Sequence, residues 1–149
     1  MSNSNSPQDK IIIYTDGACS GNPGFGGWGA ILMFNEHVKK ISGGSKETTN
    51  NQMEIKAVIE ALKIIKKPHK IIINTDSKYV MDGITKWIKS WKKNGWRTAD
   101  GKAVKNIELW QELDHEVAKH NIEWCWVKGH SGNEYNNIAD ELARKAIQK

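Results

Sequence analysis

The chain has 149 residues, 22 Lys and Arg against 17 Asp and Glu, a formal net charge of +5 and two cysteines. That length forms one domain with a substantial core, and no apolar run approaches the roughly 20 residues needed to cross a bilayer. Cys19 and Cys125 are too few for a disulfide framework or a metal cage and are expected as free thiols in a cytoplasmic protein.

Residues 1–9 are polar and are expected to form a flexible tail ahead of a single domain over 10–149; they lack the apolar segment of a secretory signal. Ile11-Ile12-Ile13-Tyr14-Thr15-Asp16 then reads as a buried strand, and the pattern returns as Ile71-Ile72-Ile73-Asn74-Thr75-Asp76. Neither run alternates apolar with polar residues, which suits neighbouring parallel strands. Residues 17–29 read as a glycine-rich loop. Strands are predicted over 28–34 and 38–42, joined by a turn at Asn35-Glu36-His37. A helix is predicted over about 51–66, and Pro68 separates it from the second Ile-Ile-Ile strand. A helix from Ser77 leads into a segment rich in tryptophan and lysine, and another covers about 106–119. Residues 122–127 read as the fifth strand and 129–133 as a loop, and the chain closes with a helix. A hairpin followed by strands alternating with helices makes an α/β fold with a mixed sheet.

If the two Thr-Asp strands lie side by side, Asp16 and Asp76 emerge together at the carboxyl end of the sheet, where open α/β folds place their sites. Like charges so placed call for a bound cation. On a helical wheel the apolar residues of the helix from Asn51 span about 200°, and Glu54 sits near the middle of that arc. A carboxylate there needs a partner. Asn51 as N-cap with Glu54 three residues on also matches a capping box, and a place beside Asp16 and Asp76 favours a functional role. In the last helix Asp140 lies about 20° beyond the apolar arc, whereas Glu141 points well away. His130 sits in a loop between two glycines, where an imidazole can carry protons near neutral pH.

The positive charge is local: residues 86–105 hold seven Lys or Arg against one acid, Asp100, and the rest holds 15 basic and 16 acidic residues. A local basic patch suits a polyanion. Gly24-Phe25-Gly26-Gly27-Trp28-Gly29 matches a dinucleotide-binding fingerprint, but a strand follows where the pyrophosphate needs a helix N-terminus. That argues against a nucleotide-dependent oxidoreductase.

Asp16, Glu54, Asp76 and Asp140, carried in order by TDG, NNQMEI, TDSKYV and DELA, with WVKGHSG before the last, closely resemble type 1 ribonuclease H of the bacterial kind. The resemblance covers about residues 10–147. It implies the ribonuclease H-like fold, a five-stranded mixed sheet flanked by helices, and an endonuclease that cuts the RNA strand of RNA/DNA hybrids, leaving 5′-phosphate and 3′-hydroxyl ends. It implies two Mg²⁺, with Mn²⁺ as a substitute, held by the four carboxylates, and His130 assisting proton transfer or product release. It also implies that Cys19, Asn22, Asn50 and Asn51 line the RNA backbone, and that Thr49 and Asn106 form a pocket for a DNA phosphate. The segment from Trp87 to Arg97 resembles the family's basic protrusion; Trp87, Lys92 and Lys93 are expected to bind hybrid, and Trp91 and Trp96 to pack. A monomer is expected. A binder of the same fold that does not cut is disfavoured, because acids gathered beside phosphates hinder binding.

Overall fold

The structure, a computed structural model, describes residues 10–21, 23–127 and 133–147. Five strands form one sheet in the order β3-β2-β1-β4-β5. They are β1 (Lys10–Cys19), β2 (Gly24–Phe34), β3 (His37–Thr48), β4 (Lys70–Thr75) and β5 (Asn121–Trp126). β2 runs antiparallel to β1 and β3, while β4 is parallel to both β1 and β5. The repeated hexapeptide lies in register with itself: Ile11 pairs with Ile71, Ile13 with Ile73, and Thr15 with Thr75. Expectation and structure agree on the mixed five-stranded sheet.

The helices are α1 (Asn50–Ile64), α2 (Lys78–Asp82), α3 (Ile88–Lys93), α4 (Ile107–Val117) and α5 (Glu134–Lys145). A single π-helical turn, Gly83–Trp87, joins α2 to α3. It faces Trp110 of α4, whose indole occupies the space that a side chain at Gly83 would need. No helix among the described residues is long and apolar enough to cross a membrane.

Three expectations are corrected. Residues 17–29 are not a loop, because β1 continues to Cys19 and β2 begins at Gly24, with Asp16 to Cys19 paired on Gly29 to Gly26. The glycines of this stretch serve packing. A Cβ on Gly29 would come 2.7 Å from the carbonyl oxygen of Ala139, so its absence lets α5 lie against β2. The second hairpin strand runs on to Thr48, and the turn is the two residues Asn35 and Glu36, with Asn35 at positive φ. The helix predicted from Asn51 starts at Asn50 and ends at Ile64. Its N-cap is Thr49, whose side chain accepts from Gln52 N while Gln52 accepts from Thr49 N. The capping box is therefore Thr49 with Gln52, and Glu54 is left free for another role.

Ile13, Ile73, Ile55, Ile59, Leu62, Trp110 and Leu113 are fully buried between the sheet and the layer formed by α1 and α4. α5 covers the other face against β1 and β2. Side chains alternate along β1, so Asp16 and Tyr14 face α5, and Tyr14 packs its ring 5.5 Å from that of Tyr135. Gly17 faces α1.

Candidate metal centre

Each carboxylate reaches the carboxyl end of the sheet by a different route. Asp16 stands near the end of β1 opposite Gly29, which brings it beside α5. Asp76 follows β4 directly, before Ser77 caps α2. Glu54 belongs to the early part of α1, and it comes close because Gly17 has no side chain: a Cβ there would lie 2.5 Å from Glu54 N. Asp140 looks in from α5. The four line one cleft of about 210 Å³ together with Gly17, Asn50, Asn136 and Asn137.

Asp16, Glu54 and Asp76 each offer an oxygen within 4.8 Å of the other two. Asp140 is hydrogen-bonded to Asp16 and ion-paired with Arg144 at 3.0 Å. Glu141 points away, as expected, and pairs with Lys145. Among the described residues no Lys or Arg forms an ion pair with Asp16, Glu54 or Asp76.

Crowding and burial hold protons on this cluster. Burial, reinforced by the charge of Asp76, pushes Asp16 up to about 8. Burial raises Glu54 well above the ordinary carboxylate range, with Asp16 and Asp76 adding to it. Burial also raises Asp76, although hydrogen bonds from Asp16 and Asn136 offset part of the effect. Glu54 Oε1 is fully buried with no hydrogen-bond partner. Clustered oxygen donors without a cationic partner, one of them orphaned, fit a hard divalent cation.

Around this cleft the structure spreads the other expected site residues. Asn50 lines it, and Asn51 lies exposed in the same first turn of α1. Cys19 ends β1 as a free thiol, its Sγ 3.3 Å from the carbonyl oxygen of Thr48. Asn106 precedes α4 in the left-handed region and makes no side-chain cap. Trp87, 36% exposed, stacks on Tyr79 and Trp91, while Trp91 and Trp96 pack against the core as expected. Lys92 and Lys93 are exposed on α3, and Lys92 pairs with Asp114 at 3.2 Å. His130 and Asn22 lie outside the described residues.

Asn136 was missed. It is buried, hydrogen-bonds to Asp76, and keeps a buried Oδ1 with no partner. The signal was its spacing, since Asn136 precedes Asp140 by four and must share its helix face.

A model of the RNase H family matches residues 8–148. The chain is 61% identical over 138 residues to a ribonuclease H of Mesorhizobium japonicum, covering 93% of this chain and 78% of that protein. It is 59% identical over 142 residues to a ribonuclease H of Hyphomonas neptunium, covering 95% of each. Among solved structures, LC9-RNase H1, a type 1 RNase H with the type 2 active-site motif, superposes with a TM-score of 0.85 at 34% identity. That match covers 97% of this chain and 74% of the other. LC11-RNase H1, solved in complex with RNA/DNA hybrid, superposes with a TM-score of 0.70 at 25% identity, covering 92% and 96%.

Proposed function

This chain belongs to the RNase H family of hydrolytic nucleases, and we propose that it cuts the RNA strand of RNA/DNA hybrids with two bound Mg²⁺. The observation that carries this reading is the buried cluster of Asp16, Glu54 and Asp76, closed on its α5 side by Asp140. The hybrid bound to LC11-RNase H1 supports the substrate, since that protein shares the fold.

The four carboxylates would hold the ions, and Mn²⁺ has the same preference for oxygen ligands. Two bound ions supply an activated water and charge stabilisation for the leaving oxygen in an in-line displacement. Hydrolysis breaks the P–O3′ bond; the water oxygen stays on phosphorus as part of a 5′-phosphate, and O3′ leaves as a 3′-hydroxyl after gaining a proton. His130 is the residue to carry such a proton. Asp16 and Glu54 give up their own protons when a cation binds, because a positive charge reverses the effect of their crowding.

The polar residues Cys19, Asn22, Asn50 and Asn51 would follow the RNA strand, whose 2′-hydroxyls distinguish it from DNA. Thr49 and Asn106 would receive a phosphate of the DNA strand. Trp87, Lys92 and Lys93 would extend the contact along the duplex through phosphate charge. The chain would act as a cytoplasmic monomer over its single domain, 10–149.

End analysis tests this reading. Incubation of a hybrid with Mg²⁺ is expected to give RNA fragments that a ligase rejoins on a DNA splint, which requires 5′-phosphate and 3′-hydroxyl ends. Fragments ending in 3′-phosphate would overturn it.

A further inference from the structure

Thr49 and Asn106, the two residues read above as a phosphate pocket, are joined through Gln52. Gln52 Oε1 accepts from Thr49 N at 3.2 Å and from Thr48 Oγ1 at 2.8 Å. Gln52 Nε2 donates to Asn106 Oδ1 at 3.0 Å, and Asn106 Nδ2 donates to Tyr79 Oη at 3.0 Å. Tyr79 Oη also accepts from Trp110 Nε1 at 3.3 Å.

The direction of this chain is fixed at both ends by groups that only donate. A backbone N–H cannot accept, so the Gln52 atom facing Thr49 N is oxygen, and its amide nitrogen must face Asn106. The indole N–H of Trp110 likewise makes Tyr79 Oη an acceptor. Asn106 therefore turns its oxygen inward to Gln52 and its nitrogen toward Tyr79. Two hydrogens then have no acceptor among the described residues: the second N–H of Asn106 Nδ2 and the O–H of Tyr79. Both belong to neighbouring groups, and Asn106 spends neither on capping α4. A pair of convergent donors beside an uncapped helix start suits an oxyanion.

We propose that Gln52 is a positioning residue for substrate: it holds the Asn106 amide with its donor edge outward, so that Asn106 and Tyr79 together present N–H and O–H to a backbone phosphate. This rests on the reading of the pocket given under the proposed function. It adds Tyr79 to the pocket and places its register under α1, two residues before Glu54.

Two variants separate this role from helix capping. Gln52→Glu keeps an acceptor for Thr49 N, as glutamate commonly does at this position of a capping box, but replaces the donor that orients Asn106. Gln52→Met removes both functions and adds no charge. In steady-state cleavage of a hybrid, both variants are expected to raise KM about tenfold, the loss of one hydrogen bond to a charged group, with kcat within about twofold. The slope of log affinity against log salt should fall by about one phosphate contact in both, while thermal stability falls in Gln52→Met alone. Wild-type KM and salt slope in Gln52→Met, or a rise in KM confined to one variant, would overturn the proposal. A wild-type protein that neither binds nor cuts hybrid would instead remove the underlying reading, and this proposal with it.

Discussion

Gly17 of β1 and Glu54 of α1 meet backbone against backbone, so closely that a Cβ on Gly17 would lie 2.5 Å from Glu54 N and 2.6 Å from Met53 C. Neither neighbour is a flexible side chain that can swing aside. A methyl group there must push the start of α1 off the sheet and carry Glu54 away from Asp16. Gly17→Ala is therefore expected to cost about 1–3 kcal/mol of stability, as overpacking does, and to weaken Mg²⁺ binding measured by calorimetry. Unchanged metal affinity in a destabilised Gly17→Ala protein would show that the Glu54 position does not depend on this contact.

The metal-free protein should lose stability as pH rises. Asp16 ordinarily titrates near 3.8 and is pushed to about 8 by burial and by Asp76. Between those values the folded state holds a proton that the unfolded state has released, so unfolding free energy falls with increasing pH across this window. One proton held in the folded state alone makes the loss at most about 1.4 kcal/mol per pH unit, and coupling within the cluster spreads the effect over several groups. Urea unfolding in EDTA at pH 5 and pH 8 should show the loss. Asp16→Asn should flatten the slope and be more stable than wild type at pH 8, and Mg²⁺ should restore wild-type stability there. A metal-free stability that climbs from pH 5 to pH 8 contradicts this.

Asn136 ties α5 to Asp76 by a hydrogen bond from within the buried wall of the cleft. Groups that orient a ligand in this way commonly contribute 10–100-fold to metal affinity. Asn136→Ala should accordingly weaken Mg²⁺ binding by about that factor. Hybrid binding measured without metal should stay near wild type, because the residue is buried.

Two adjacent lysines should behave differently. Lys92 already pairs with Asp114, whereas Lys93 forms no ion pair among the described residues. Lys93→Gln is expected to weaken hybrid binding at low salt and to lower the salt slope by about one; Lys92→Gln should do both to a smaller extent. Fluorescence anisotropy over a salt series measures the difference.

The parallel pairing of β1 with β4 was legible because both strands are buried on both faces and leave the same uninterrupted Ile-Ile-Ile run. Glu54 was legible because an acid on an apolar arc must find a partner. The stretch from Gly17 to Gly29 misled because glycine density is the usual mark of a loop. Here it marks strands pressed closely by α1 and α5, and composition alone cannot distinguish open space from a backbone contact at Gly29. The capping box was shifted by two residues because Thr49-x-x-Gln52 and Asn51-x-x-Glu54 both satisfy the spacing. The choice between them depends on where Glu54 is drawn by Asp16, which is a tertiary matter. The Gln52–Asn106–Tyr79 chain joins residues up to 54 positions apart, and nothing local announces it.

Whether the buried carboxylates around Asp16 drive cleavage of RNA in a hybrid is decided by one assay on wild type and Asp16→Asn, with Mg²⁺ and end-labelled RNA paired to DNA or to RNA. Wild type is expected to cut the RNA of the hybrid and not the RNA duplex, and Asp16→Asn to lose cleavage while binding hybrid almost as well as wild type. Equal cutting of the RNA duplex, or cleavage that survives Asp16→Asn, would contradict this mechanism.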